Sequence, residues 1–112
     1  MHIEYRNNEI KKICTDLNEA KKKYPSKIAE KLCKAINFIK TAESLHDVIQ
    51  YAPFHFHGLR GKRTGEYAVD VDGRRGSYRI ILKLTDEDTS DVYAIAKSVK
   101  IILIWEVSKH YE

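Results

Sequence analysis

The chain has 112 residues, 43% of them hydrophobic and 32% charged, with a formal net charge of +4. That size and balance describe one globular domain over residues 1–112 and exclude a disordered tail, a collagen-like chain or a disulfide scaffold. No apolar run nears the roughly 18 residues that span a bilayer. No apolar segment follows a basic start, and the two cysteines form no CxxC pair, so a cytoplasmic protein without membrane contact is expected.

Ile3-Glu4-Tyr5-Arg6 alternates as a short strand does. Asn7 or Asn8 can then cap a helix over 9–23, whose apolar stripe is Ile10, Ile13, Cys14, Leu17 and Ala20. Pro25 disfavours a helical Tyr24 and ends it. Ser26 is the expected N-cap of a second helix with Ile28, Leu32, Ala35, Ile36 and Ile39 inward. Cys14 and Cys33 sit on or beside these faces and read as packing residues. A third, short helix starts at Ser44, where Ser44-Leu45-His46-Asp47 has the form of a capping box.

From Gln50 the helical period is lost. Phe54 to Leu59 alternates, which sets His55 and His57 on one side and Phe54 and Phe56 on the other. Glu66 to Asp72 and Tyr78 to Leu84 alternate as two strands of a hairpin around the turn Gly73-Arg74-Arg75-Gly76. Residues 92–98 read as strand or irregular chain. Val99 to Val107 is apolar at nearly every position, so a central strand covered on both faces is expected, with Trp105 in the core. The order predicts an α+β domain, β-α-α-β-β-β, with a helical hairpin on one face of a small, mainly antiparallel sheet.

Charge is concentrated in the middle. Residues 55–83 carry seven Lys/Arg against three Asp/Glu, and five of the seven are arginines, whose forked guanidinium groups fit phosphate. Within it, Gly58-Leu59-Arg60-Gly61-Lys62-Arg63-Thr64-Gly65 is a glycine-rich cationic loop, without the spacing of a Walker A phosphate loop. His55 and His57 have no third ligand at a diagnostic spacing, so no metal site is expected, and His55 reads as structural. Arg79 has two open readings that can both hold: a contact to phosphate, or an ion pair with Asp70 or Glu66 across the hairpin.

Residues 57–67 resemble the His-x-Leu-Lys-Gly-x-Arg-Lys-Gly-x-Tyr/Trp segment of the RelE/ParE superfamily of bacterial toxins, in its HigB-like branch. The likeness extends to Ile3-Glu4-Tyr5, Ser44-Leu45-His46-Asp47, Tyr78-Arg79-Ile80-Ile81 and the closing Trp105 to Tyr111. It implies the toxin of a type II toxin–antitoxin system: a ribosome-dependent mRNA endonuclease that uses the ribose 2′-hydroxyl as nucleophile and needs neither metal nor cofactor. The implied partners are a helix-turn-helix antitoxin of the HigA type and mRNA on the ribosome, with operator DNA reached only through the antitoxin. Position by position, the resemblance assigns the site to His57, Arg60, Arg63, Arg79, His110 and Tyr111. The chain departs from the pattern in having Arg60 and Thr64 where lysines are usual. It also ends Lys109-His110-Tyr111 in place of Asp-Tyr-His. Arg60 keeps the charge but cannot titrate, so it cannot serve as an acid. Two other readings stay open: a gyrase-binding, ParE-like toxin that cuts no RNA, and a catalytically degenerate member that only binds its partner.

Overall fold

The computed structural model describes residues 1–85 and 91–109. It contains strands β1 (His2–Tyr5), β2 (His57–Gly58), β3 (Glu66–Asp70), β4 (Tyr78–Leu84) and β5 (Ile101–Lys109). The helices are α1 (Asn8–Thr15), α2 (Leu17–Lys23), α3 (Ser26–Thr41), α4 (Leu45–Gln50) and the single turn α5 (Val92–Ile95). One five-stranded mixed sheet runs β1-β5-β4-β3-β2. Only β1 pairs in parallel, with β5; the other pairings are antiparallel. This is the α+β class expected, with the helices on one face.

The helix expected over 9–23 is two helices. Asp16 breaks it, because its carboxylate caps α2 by accepting from the amides of Asn18 at 2.9 Å and Glu19 at 3.4 Å, which holds Asp16 itself in extended backbone. Asn7 caps α1 as expected. Ser26 does not cap α3: it is the first helical residue, and Pro25 stands in the cap position without a side-chain bond. Ser44 caps α4 by accepting from the His46 amide, while Asp47 reaches back to the amide of Glu43, one residue before the capping-box position.

The core lies between the helices and one sheet face. Leu32, Ile36 and Ile39 of α3 and Leu45 and Val48 of α4 meet Val69, Ile80, Leu82, Ile102 and Ile104. Burying each such side chain contributes about 1.5–3 kcal/mol before entropy is counted.

Strand β5 is internal, as expected, but it is not covered on both sides. Ile102 and Ile104 are buried under the helices, whereas Ile101 is 40% exposed and Leu103 and Trp105 are half-buried on the other face. Trp105 is therefore no core residue. It stands between the Arg6 guanidinium, 4.3 Å from its ring centre, and the Lys83 ammonium at 3.5 Å. The pattern misled because apolar residues here serve two different surfaces. The stretch 54–59 is likewise shorter as a strand than its alternation suggests. Ala52–Phe54 is a 3-10 turn built around Pro53, and His55 adopts the left-handed conformation at φ 45°, so pairing begins only at His57. Among the described residues no helix is long and apolar enough to cross a membrane.

Candidate functional site on the helix-free face

The sheet register lays the polar residues of the helix-free face out in rows. Asp70 on β3 is opposite Arg79 on β4, which is opposite Ser108 on β5. In the next row His57 on β2 is opposite Ala68, then come Ile81 and Glu106. The third row holds Glu66, Lys83 and Leu103.

The first row is anchored by a buried charge. The Asp70 carboxylate is fully buried, with Arg79 Nε 2.8 Å from Oδ1 and His55 Nδ1 4.0 Å from Oδ2. Neither oxygen accepts an aligned hydrogen bond, so proximity of opposite charge is what compensates this burial. The rest of the Arg79 guanidinium faces the β3–β4 turn. Nη1 donates to the carbonyls of Gly76 at 2.7 Å and Tyr78 at 3.0 Å, and Nη2 to that of Arg74 at 3.2 Å. Of the two readings of Arg79, the ion pair with Asp70 is realised. The same side chain fixes the turn that carries Arg74 and Arg75 into solvent.

The two histidines stand together, ring centres 4.8 Å apart. His57 Nδ1 lies 2.8 Å from the His55 carbonyl oxygen. A carbonyl only accepts, so Nδ1 carries the proton, and in the neutral ring Nε2 holds the lone pair. Desolvation lowers the pKa of His55, the neighbouring Arg74, His57 and Arg79 lower it further, and Asp70 offsets part of this. His55 thus favours the neutral form.

The cationic loop follows β2. Arg60 is exposed and extended, and leads into a 3-10 turn over Gly61–Arg63. Gly61 at φ 65° and Gly65 at φ 97° occupy conformations that a side chain would strain. Arg63 is tied to the sheet: Nε is 2.7 Å from Glu66 Oε1 and Nη2 is 2.9 Å from Glu106 Oε1. The hydrogen bond to Glu66 is the largest factor raising its pKa. Among the described residues no acceptor engages the side chains of Arg60, Lys62 or Arg74.

Four of the six residues singled out in the sequence are thereby described. His57 and Arg79 share a neighbourhood through His55 and Asp70, Arg60 is on the adjoining loop, and Arg63 points across the sheet to two carboxylates. His110 and Tyr111 lie outside the described residues; Lys109, opposite Tyr78, is the last one before them. Sequence alone offers Asp70 as one of two partners for Arg79 and Arg74 as one of five arginines in residues 55–83. It does not show that Asp70 is fully buried, that Arg74 lies beside the histidines, or that His55, which reads as structural, joins the group. The alternation placing His55 with His57 was the available signal.

This arrangement, a histidine pair in which His57 Nε2 meets no partner among the described residues, beside exposed cations, suits an anionic ligand and a proton transfer. A family model described as "RelE-like toxin of type II toxin-antitoxin system HigB" matches residues 3–96. The chain belongs to this family of toxins. No curated protein matches it. Among solved structures the toxin resembles the crystal structure of YafQ from E. coli strain BL21(DE3), at TM-score 0.52 and 18% identity, over 96% of this chain and 91% of that one. At that identity the likeness speaks for the fold: helices packed against one face of a five-stranded mixed sheet. Membership of a type II system implies a protein antitoxin as partner.

Proposed function

We propose that this toxin is a ribosome-dependent endoribonuclease that cuts mRNA and so stops translation, held inactive by a helix-turn-helix antitoxin of the HigA type. The observation that carries the reading is His57: its Nδ1–H is committed to the His55 carbonyl, its Nε2 meets no partner among the described residues, and exposed cations lie on both adjoining turns. RelE-like toxins act in general as endoribonucleases, which supports the same reading.

The chemistry requires little beyond this. The substrate's 2′-oxygen attacks the adjacent phosphorus while the bond from phosphorus to the 5′-oxygen breaks. This leaves a 2′,3′-cyclic phosphate and a 5′-hydroxyl end. One proton leaves the 2′-hydroxyl and one reaches the departing 5′-oxygen. His57 Nε2 is assigned to one of these transfers and His110 or Tyr111 to the other. Arg60, Lys62 and Arg74 neutralise the charge that grows on the non-bridging oxygens, with Arg63 and Arg79 contributing from their ion pairs. No step calls for a metal ion.

The test is induction of the toxin without its antitoxin, followed by mapping of RNA 5′ ends. New ends within coding regions, absent with His57→Gln, are expected. His110→Ala and Tyr111→Phe then show which terminal side chain takes part. If replication halts while messages stay intact, the reading fails and a gyrase-directed action replaces it.

A further inference from the structure

A face meant for RNA should not carry carboxylates without a reason, yet Glu66 and Glu106 both stand on it. Both aim at one guanidinium, that of Arg63. The position of Glu106 is itself a constructed feature. Ile102 and Ile104 face the helices, and simple alternation would send residue 106 the same way. It does not, because the β4–β5 register slips: Ile81 pairs with Glu106 but Leu82 pairs with Ile104, leaving Trp105 as an extra residue. Such a bulge re-aims the side chains beyond it, and here it turns Glu106 onto the helix-free face.

The connection spans most of the sheet. Glu66 is on β3 and Glu106 on β5, so Arg63 reaches over the Ala68–Ile81 pair, which is buried although no helix among the described residues covers that face. Lys83 adds a 3.8 Å contact to Glu66. Two cations and two anions leave this network with no net charge to offer an RNA. What it offers is position. Its anchor sits in the turn between Gly61 and Gly65, in a loop with open space around both glycines. Otherwise the loop is ordered among the described residues by its own short bonds, Thr64 N and Oγ1 to the Gly61 carbonyl and Arg63 N to the Arg60 carbonyl, and by the Leu59 amide, which donates to the Glu66 carbonyl at its start and leaves residues 60–65 without a main-chain bond to the sheet.

We infer that Glu66 and Glu106 are positioning residues: through Arg63 they hold the 58–65 loop against the sheet, so that Arg60 and Lys62 stand beside His57 where the scissile phosphate binds. This rests on the endoribonuclease reading above and assigns Arg63 a tethering role within it.

The decisive variant is Glu106→Gln, because the two roles open to Arg63 predict opposite results. If Arg63 tethers the loop, loss of Glu106 slackens it, and single-turnover cleavage of ribosome-bound mRNA at saturating toxin falls about tenfold or more. If Arg63 itself contacts phosphate, loss of a competing carboxylate frees it and cleavage holds or rises. The variant should melt within a few degrees of the parent, since a partly exposed ion pair adds little stability. Independently of cleavage, amide hydrogen exchange at residues 61–65 should quicken in Glu106→Gln, and no further in Arg63→Met/Glu106→Gln than in Arg63→Met. A parent toxin that cuts, with Glu106→Gln cutting equally well or its loop exchanging no faster, overturns the tether alone. A parent toxin that does not cut ribosome-bound mRNA overturns the endoribonuclease reading, and the positioning role falls with it.

Discussion

Replacing Arg79 by alanine should unsettle the fold before it tells anything about catalysis. The Asp70 carboxylate has no exposed side-chain surface, and the Arg79 guanidinium 2.8 Å away is the cation closest to it. Removing one partner of a buried pair leaves an uncompensated charge and costs about 3–5 kcal/mol. The carbonyls of Arg74, Gly76 and Tyr78 also lose their donor, but they lie at a turn where water can replace it. Against a total stability of about 5–15 kcal/mol, this is a large fraction. At about 4–8 °C per kcal/mol in a domain of this size, the melting temperature should drop by about 12 °C or more. Circular dichroism melts at pH 7 measure it directly. The double variant Arg79→Met/Asp70→Leu, which removes both charges and keeps volume, should recover most of the loss. Arg79→Lys keeps a charge near Asp70 but cannot span the turn carbonyls, so it should melt closer to the parent while cleaving poorly. An Arg79→Ala protein that melts within 3 °C of the parent would refute the argument that Asp70 is a buried charge held by this one residue.

Three further outcomes follow from the site and the core. His57→Gln should slow single-turnover cleavage by about a hundredfold or more, while His55→Gln, which leaves the 55 carbonyl to hold residue 57, should slow it far less. Because the folded pKa of His55 lies below its unfolded value, the unfolded chain binds the extra proton. That part of the stability is complete above the ordinary histidine range near pH 6.5 and is lost as pH falls through it, so His55→Gln should flatten the slope of denaturant stability between about pH 5 and 7. Burial pushes the Cys14 thiol up to about 12, whereas Cys33 is only half-buried, so brief treatment of the native protein with iodoacetamide should label Cys33 and spare Cys14, as peptide mass analysis would show.

The fold was legible wherever one residue pattern served one surface. Leu32, Ile36 and Ile39 repeat at helical spacing because they meet a single sheet face, and Tyr78 to Leu84 alternates because its two sides differ. Legibility failed where local chemistry overrode period. Asp16 interrupts an unbroken apolar stripe by capping, Pro53 and a left-handed His55 shorten a well-alternating strand, and a one-residue bulge changes the face of everything after Trp105. Periodicity carries no sign of such a slip. The candidate site divides the same way. His57 and the cations could be picked out by type and spacing, but what each arginine does depends on carboxylates from other strands. Asp70 is nine residues from Arg79 in the chain, and Glu106 is 43 from Arg63.

That division bears on how a small sheet can build an anion site at all. A 112-residue chain has little interior in which to fix flexible cationic side chains. Here the arginines nearest the sheet are spent on that problem. Arg79 pairs with Asp70 and draws the 73–78 turn together; Arg63 pairs with Glu66 and Glu106 and draws the 58–65 loop down. Each paired arginine gives up most of its net charge but fixes the backbone that carries another cation, Arg74 in one case and Arg60 with Lys62 in the other. A pair of this kind also resists salt better than an exposed cation does, since its partners are close and partly shielded. Raising ionic strength should therefore weaken substrate association through the exposed residues long before it loosens the turns that present them.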